Sequence, residues 1–467
     1  MNLVVGAIFV YVALQMLVGV LVSRRIRTED DYLLAGRRLG PVLATFSIFG
    51  TWFGAETCIG AAGAVYEQGL SGTRGDPFGY ALCIAIMAAV LAVPLWRARI
   101  TTLGDLFRRR YSPTVEHVAV LLMIPTSILW AGAQIRAFGQ VLASASDGLS
   151  VTAGVALAAV TVLVYTTSGG LLADAWTDLI QGIVLAVGLV VVTVLVTAAL
   201  GGPGAALAGV APEHWAWSGR DETTIEVLNR WAIPILGSLT AQELVARIVA
   251  CRTPQVAQRA ALTASVAYLG VGLMPVGLGL MATQLPLGIA DAEHVLPALA
   301  QAHLPTAGYV IFVGAMVSAI LSTVDSCLLV AGSLMSHNLA VPHVAGITES
   351  GKLLAARLGV VASGLAAWYL ALASDSVLAL VEQASGFGSA GILVLTVFGL
   401  WGTFGGPAAA LAALLAGIGV WVPAHYVYEL PFDYLASVAA ALLAYLAIAA
   451  REQPGRPAVA GTGPPGN

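Results

Sequence analysis

Val310–Leu339 reads VIFVGAMVSAILSTVDSCLLVAGSLMSHNL. The stretch is apolar and long enough to cross a bilayer as a helix. Inside it lie Ser318, Ser322, Thr323, Asp325 and Ser326. A carboxylate and clustered hydroxyls at membrane depth are costly unless they face an ion, water or other protein. Hydroxyl oxygens suit a hard cation better than a soft one. The simplest reading is a transmembrane helix that carries an ion site. A transporter or channel fits such a helix better than a soluble enzyme does.

The rest of the chain agrees. Its 467 residues are 58% hydrophobic and 10% charged, against about 25% charged in a soluble domain. Apolar runs of about 20 residues, each enough to span, recur along the whole length. Thirteen are expected, near 3–22, 41–66, 76–96, 115–145, 150–168, 176–200, 226–250, 259–284, 308–339, 352–373, 377–400, 405–424 and 431–450. No soluble domain fits between them, so residues 1–450 read as one all-α membrane domain. Residues 451–467, rich in Gly and Pro, read as a disordered tail.

Basic residues give the orientation. Of 21, 17 fall on one alternating set of connections: Arg24, Arg25, Arg27, Arg37, Arg38; Arg97, Arg99, Arg108, Arg109, Arg110; Arg247, Arg252, Arg259; Lys352, Arg357; Arg451, Arg456. That set is cytoplasmic by the positive-inside rule. The N-terminus is then outside and the C-terminus cytoplasmic, most simply in the plasma (inner) membrane. The exceptions are Arg74, Arg136, Arg220 and Arg230. In the first span the positive charges follow the apolar run, which favours a retained N-out anchor over a signal peptide.

Other classes find little support. Cys58, Cys83, Cys251 and Cys327 are isolated, with no metal spacing. The histidines are scattered, mostly in loops (His214, His294, His303, His337, His343), and offer no nucleophile–base set or ligand spacing. A sensor needs an attached signalling domain, and the tail after Arg451 is too short for one. A uniporter, a channel or a proton-coupled transporter of the same architecture stays open, because coupling is not written in a sequence.

Two spans read as interrupted. The second contains Gly50, Gly54, Gly60 and Gly63 among Thr51, Glu56 and Thr57; the seventh contains Pro234 and Gly237, then Ser238, Thr240, Gln242 and Glu243. Glycine loosens a helix and proline removes a donor. Five spans separate them in order, so each opens one half of a five-plus-five core. Paired interrupted segments point to the centre of an inverted-repeat transporter, where unwound carbonyls coordinate sodium. The bland alternative is tight helix packing through small residues.

At these residues the chain resembles the sodium:solute symporter family. Tyr165–Ala173 reads YTTSGGLLA and is followed by Thr177, Asp178 and Gln181, similar to that family's signature. Ala319–Ser326, AILSTVDS, is similar to its sodium-binding span, and Asp31–Arg37, DYLLAGR, to the loop after its first span. The resemblance runs from about residue 30 to 400. It implies the LeuT-type fold, with inverted repeats at about 41–200 and 226–400. It also implies sodium ligands: the carbonyls of Gly50, Phe53 and Ala319 and the hydroxyls of Ser322 and Thr323. Ala319, Ser322 and Thr323 stand at i, i+3 and i+4, on one helix face. Asp178 matches a family acid on the inward sodium route; its alternative is a capping partner near a turn at 169–175. Asp325 is expected to orient the hydroxyl pair or line the exit path.

Within the family the high-affinity choline transporter branch is most similar. Thr51–Gly54 (TWFG), Asp76–Ala81 (DPFGYA) and Trp130–Ala133 (WAGA) carry that likeness. It implies an ammonium cage of Trp52 and Trp130, since aromatic faces attract cations. Two positions depart from the branch: Ala241 replaces a cage tryptophan, and Glu56 a small residue. The expected pocket is Trp52, Glu56, Tyr80, Trp130, Gln134, Ala241 and Gln242. Glu56 favours a cationic small organic solute; Arg136, in the fourth span, is the rival anchor for a carboxylate or a partner for Glu56.

Overall fold

The computed structural model describes residues 26–144, 149–219, 221–289, 291–374 and 376–452, and five of the first 25. Those five, Gly6, Val10, Ala13, Leu17 and Leu21, are helical, and the rest of the first expected span lies outside the described residues. So do Arg220 and the tail from residue 453. Among the described residues there is no strand, only an isolated bridge between Leu39 and Cys251.

The elements used below run in order. They are α1 (Glu29–Leu34), α2 (Pro41–Trp52), α3 (Ala62–Gln68), α4 (Tyr80–Ile86), α5 (Leu103–Arg110), α6 (Pro113–Ser144), α7 (Val151–Ala199) and α8 (Thr224–Ala232). Then come α9 (Gln242–Val249), α10 (Pro254–Ala282), α11 (Thr306–Ser333), α12 (Glu349–Ala373), α13 (Val377–Gly386), α14 (Ser389–Trp401), α15 (Pro407–Tyr426) and α16 (Asp433–Ala449).

Eight described helices are long and apolar enough to cross a membrane, or nine if the pair bent by 41° at residues 386–389 is one span. The expected count of thirteen is not reached on that test. Interruption is one cause. Pro41–Trp52, Val151–Val164 and Asp433–Ala449 are apolar helices too short to qualify alone. The first is cut at Phe53, the second by the turn at Gly170.

Burial sorts the helices. On α11 every side chain from Phe312 to Ser333 is buried, and it packs on α6 and α7. Leucines and valines stand exposed on α7 (Val187, Val194), α12 (Leu358, Leu365), α15 (Leu415) and α16 (Leu443). Apolar outside and polar within is the arrangement that lipid imposes. The polar face of α11 is therefore the centre of the molecule.

Three breaks position the site. Helix α2 ends at Trp52, and Phe53 turns out of helical geometry (φ −86°, ψ 71°) before the chain coils again from Glu56. Helix α8 widens through Ile233–Gly237 and stops, and α9 restarts at Gln242. Helix α7 is broken at Gly170 (φ 60°, ψ 176°), where a Cβ would meet Tyr32 at 2.7 Å. The glycine pair of the signature thus lets α1 lie against α7, with Tyr32 Oη donating to the Thr166 carbonyl at 3.1 Å. The ends of the two interrupted spans away from their breaks are also tied: Leu39 N donates to Ala250 O, and Arg252 N to Leu39 O, both at 3.1 Å.

The start of the expected tail is ordered. The Glu452 carboxylate accepts from the amides of Gly406, Ala408 and Ala409 at 2.8–3.1 Å. Those amides are the unpaired donors at the start of α15, where a negative charge also meets the helix dipole favourably.

Candidate functional site

The hydroxyl face of α11 meets the break in α2. Thr323 Oγ1 lies 3.2 Å from the Gly50 carbonyl and 3.2 Å from the Ala319 carbonyl. Glycine is required on both sides of the contact. A Cβ at Gly50 would sit 2.7 Å from Asp178 Oδ1; one at Gly54 would sit 2.7 Å from Thr323 Oγ1 and 2.8 Å from Gln134 Oε1. Four of the five expected sodium ligands meet here or beside it, and Phe53 supplies the break in the helix.

A chain of polar groups leads away from that point. Ser322 Oγ donates to Asp178 Oδ1. Gln181 Nε2 donates to the same oxygen at 3.0 Å, and Ser318 Oγ to Gln181 Oε1 at 2.7 Å. Asp178 Oδ2 has no hydrogen-bond partner. Asp178 stands two turns beyond the break at Gly170 and bonds side chains rather than a helix end, unlike a cap. One turn earlier, Asp174 pairs with Arg247, and Ser326 bonds both. Asp325 does not contact the hydroxyl pair: both its oxygens are buried without a hydrogen-bond partner. The orienting role expected of Asp325 falls to Asp178 for Ser322, and to the two carbonyls for Thr323.

On the other side of the α2 break lie the expected pocket residues. Glu56 is 1% exposed. Its Oε2 accepts from Gln134 Nε2 at 2.6 Å and its Oε1 from Trp130 Nε1 at 3.3 Å, while Gln134 Oε1 takes the Ala55 amide at 2.9 Å. Gln134 therefore fastens both the broken backbone and its acid. Arg136 donates instead to the Ala371 carbonyl at 3.3 Å.

The aromatic cage is not open. Trp52 is fully buried, edge-on to Trp130 at 4.8 Å and tilted on Tyr80 at 4.9 Å. The three rings pack against one another, with Tyr80 and Trp130 6.3 Å apart. Gln242 also departs from expectation, because its Oε1 accepts the Leu103 amide at 2.8 Å and so caps α5. Ala241 and Gln242, with Trp130, line a cavity of about 30 Å³, room for about one water.

A cavity of about 430 Å³ lies on the other side of the ring stack, lined by Glu56, Asp76, Tyr80, Arg74, Arg230, Glu382 and Asp433 among others. That volume is in the range of small-molecule sites. A group missed in the sequence sits at its wall. Thr57 Oγ1 donates to Asp76 Oδ2 at 2.6 Å, and Tyr268 Oη lies 3.0 Å from that oxygen and 3.1 Å from the Trp52 carbonyl. Asp76 opens the DPFGYA motif, which carried a family likeness and no site role. Nothing distinguished Tyr268 from a core tyrosine.

Both arginines of the cavity are engaged by Glu222. Arg74 Nη1 and Nη2 donate to its two oxygens at 2.8 and 2.7 Å, and Arg230 Nη1 lies 3.2 Å away. The Arg74 hydrogen bonds hold the Glu222 carboxyl at about 2, below its ordinary value. A depressed folded pKa stabilises fully above the unfolded value and is lost as pH falls through the folded one. Glu222→Gln is therefore expected to lower the melting temperature at neutral pH. The deficit relative to wild type shrinks as pH falls from about 4.5 towards 2. A pH-independent deficit in a melting series contradicts the ion-pair assignment.

Comparison with known proteins fits this geometry. The model of the sodium:solute symporter family matches residues 32–417. The chain belongs to that family. Membership makes it a sodium-coupled solute symporter, embedded in a membrane, and not an enzyme. Curated relatives are distant. High-affinity choline transporter 1 of Caenorhabditis elegans is 25% identical over 80% of this chain and 69% of that protein. The Homo sapiens choline transporter is 26% identical over 71% of this chain, which spans only 61% of its length. The high-affinity proline transporter PutP of Bacillus subtilis (strain 168) is 26% identical over 91% of this chain and 93% of its own. Among solved structures, a substrate-bound, outward-open Na+-coupled sialic acid symporter superposes with a TM-score of 0.85 at 20% identity, covering 97% of this chain and 98% of that one. MHP1, a nucleobase-cation-symport-1 family transporter, gives 0.58 at 15% identity over 90% and 93%. The symporter thus has the LeuT-type inverted-repeat fold that its two broken helices announce.

Proposed function

We propose that this symporter carries sodium at the contact between α2 and α11, and a small organic cation in the cavity beside Glu56. The observation that carries the sodium assignment is the Thr323 hydroxyl, 3.2 Å from both the Gly50 and Ala319 carbonyls at a helix break. The Ser322 hydroxyl and the Phe53 carbonyl complete the oxygen set, as a hard cation requires. Glu56 supports a positive solute, since it lines the cavity while both arginines there are held by Glu222. Choline and an ammonium relative of choline are the first solutes to test, on the likeness to the choline transporters.

The charge pattern supports an N-terminus outside and a cytoplasmic C-terminus in the plasma (inner) membrane. The cavity, lined by segments near 71–76, 226–234 and 425–433, then lies towards the outside. Residues 1–450 work as one domain, with repeats at about 41–200 and 226–400. Sodium at Thr323 bridges α11 to the broken α2, whose continuation carries Glu56. Occupying one site thus orders the backbone of the other, which couples them. Moving one sodium down 100 mV yields about 2.3 kcal/mol, and a tenfold gradient adds about 1.4 kcal/mol. Together they support roughly 500-fold accumulation of a neutral solute at one-to-one coupling.

Asp178 holds Ser322 from behind and has one oxygen unpartnered. It is proposed as the first acceptor on the inward sodium route. Asp178→Asn is expected to slow turnover in proteoliposomes several-fold more than it weakens sodium binding from outside. Unchanged rate and affinity contradict this role. The proposed function as a whole is tested by uptake into proteoliposomes of solutes found by thermal shift. Organic cations that enter only with a sodium gradient support it; uptake restricted to anions contradicts the cation assignment.

A further inference from the structure

We infer that the solute is an ammonium that still bears N–H donors, a primary, secondary or tertiary amine cation, and that Asp76 accepts its hydrogen bond. This rests on the cavity being the solute site and goes further, since it sets the solute apart from a fully methylated ammonium.

Two independent features of the cavity wall lead there. Asp76 is 6% exposed and lines the cavity, yet only its Oδ2 is used, by Thr57 and Tyr268. Its Oδ1 is buried with no hydrogen-bond partner. An unpaired buried acceptor is unfavourable and calls for a donor. Glu56, on the same cavity, accepts one hydrogen bond per oxygen and has capacity for more. Second, the two tryptophans that would cage a quaternary ammonium are absent from the wall. Trp52 is fully buried and Trp130 gives its N–H to Glu56, so of the three clustered rings only Tyr80 lines the cavity. The lining is richer in carboxylates, Glu56, Asp76, Glu382 and Asp433, than in ring faces.

A metal ion fits the Asp76 cluster less well. Thr57 Oγ1, Tyr268 Oη and Asp76 Oδ2 lie 2.6–3.0 Å from one another, closer than the 3.2 Å contacts of Thr323, and the three oxygens already satisfy one another. A carboxylate solute is disfavoured as well, because both carboxylate oxygens of Glu222 already engage Arg74. A quaternary ammonium carries charge but no donor and leaves Oδ1 unpaired. A site built to hydrogen-bond its ligand rejects strongly an analogue that lacks the donor.

The test is the methylation series ethanolamine, N-methylethanolamine, N,N-dimethylethanolamine and choline, all cations at pH 7. Each is assayed on the full-length protein in sodium, by thermal shift and by sodium-driven uptake. Apparent affinity is expected to fall at least tenfold at the last step, where the last N–H disappears. In Asp76→Asn, which keeps an acceptor for Thr57 and Tyr268, that step is expected to shrink to threefold or less. Choline binding as well as, or better than, dimethylethanolamine overturns the inference and leaves the organic-cation function standing. A step of unchanged size in Asp76→Asn also overturns it, because Asp76 is then not the acceptor. If no member of the series binds and only neutral or anionic solutes do, the cation function fails and this inference with it. The wild-type series needs no variant, so poor recovery of Asp76→Asn does not protect the inference.

Discussion

Alanine at both Ser322 and Thr323 is expected to lower apparent sodium affinity at least tenfold, and more if the Gly50 segment loosens with it. Two proposed oxygen ligands leave one helix face, and the hydroxyl that spans the Gly50 and Ala319 carbonyls is lost. Alanine is the best helix former, so α11 itself survives. The single variants separate the parts. Thr323→Ala removes the contact with the α2 break, whereas Ser322→Ala also strips Asp178 of a donor. Sodium titration of uptake, with monodispersity in detergent as the folding control, reads the effect. Wild-type sodium dependence in the double variant contradicts the assignment.

The second large effect is expected at Glu56. Glu56→Gln is nearly isosteric, but the amide puts an NH2 donor group in place of one of the two carboxylate acceptor oxygens. Hydrogen bonds to a charged group contribute about 1.5–3 kcal/mol, so the half-saturation concentration of a cationic solute rises by roughly ten- to a hundredfold. The loss is selective: a neutral solute is spared. Trp130 and Gln134 both donate to this acid, so Gln134→Leu should weaken binding too by leaving the Ala55 amide and Glu56 without a partner. Equal losses for cationic and neutral solutes in Glu56→Gln point to a collapsed pocket instead of a missing charge.

Features confined to one segment were legible in the sequence. Ser322 and Thr323 with Ala319 form one helix face by spacing alone, and the glycines around Phe53 announced a break that the backbone makes. Partners that come from distant segments were not legible. Ser322 meets Asp178 across 144 residues, and Tyr268 meets Asp76 across 192; hydropathy carries no information on which helix faces which. The same gap explains the pocket. Trp52 and Trp130 both lie near the site, but nothing local says that they pack edge-on against each other rather than around a ligand. Gln242 sits among pocket residues by sequence and is taken by the unpaired amide of Leu103 at the start of α5. The span count fell short for a physical reason too, since a helix interrupted to expose carbonyls is shorter than the bilayer is thick.

The proposed sodium and solute sites share one interrupted helix, so each ligand is expected to tighten the other. By linkage the factor is the same in both directions. Thermal unfolding of the purified protein, with an amine from the methylation series titrated in sodium and in potassium at equal ionic strength, measures it directly. The predicted result is a saturable rise in melting temperature in sodium, with a sodium midpoint that moves to lower concentration as amine is added. Ligand at a hundred times its dissociation constant adds about 2.7 kcal/mol of stability, a shift well within reach of the method. An amine response of the same size and midpoint in potassium as in sodium contradicts the account.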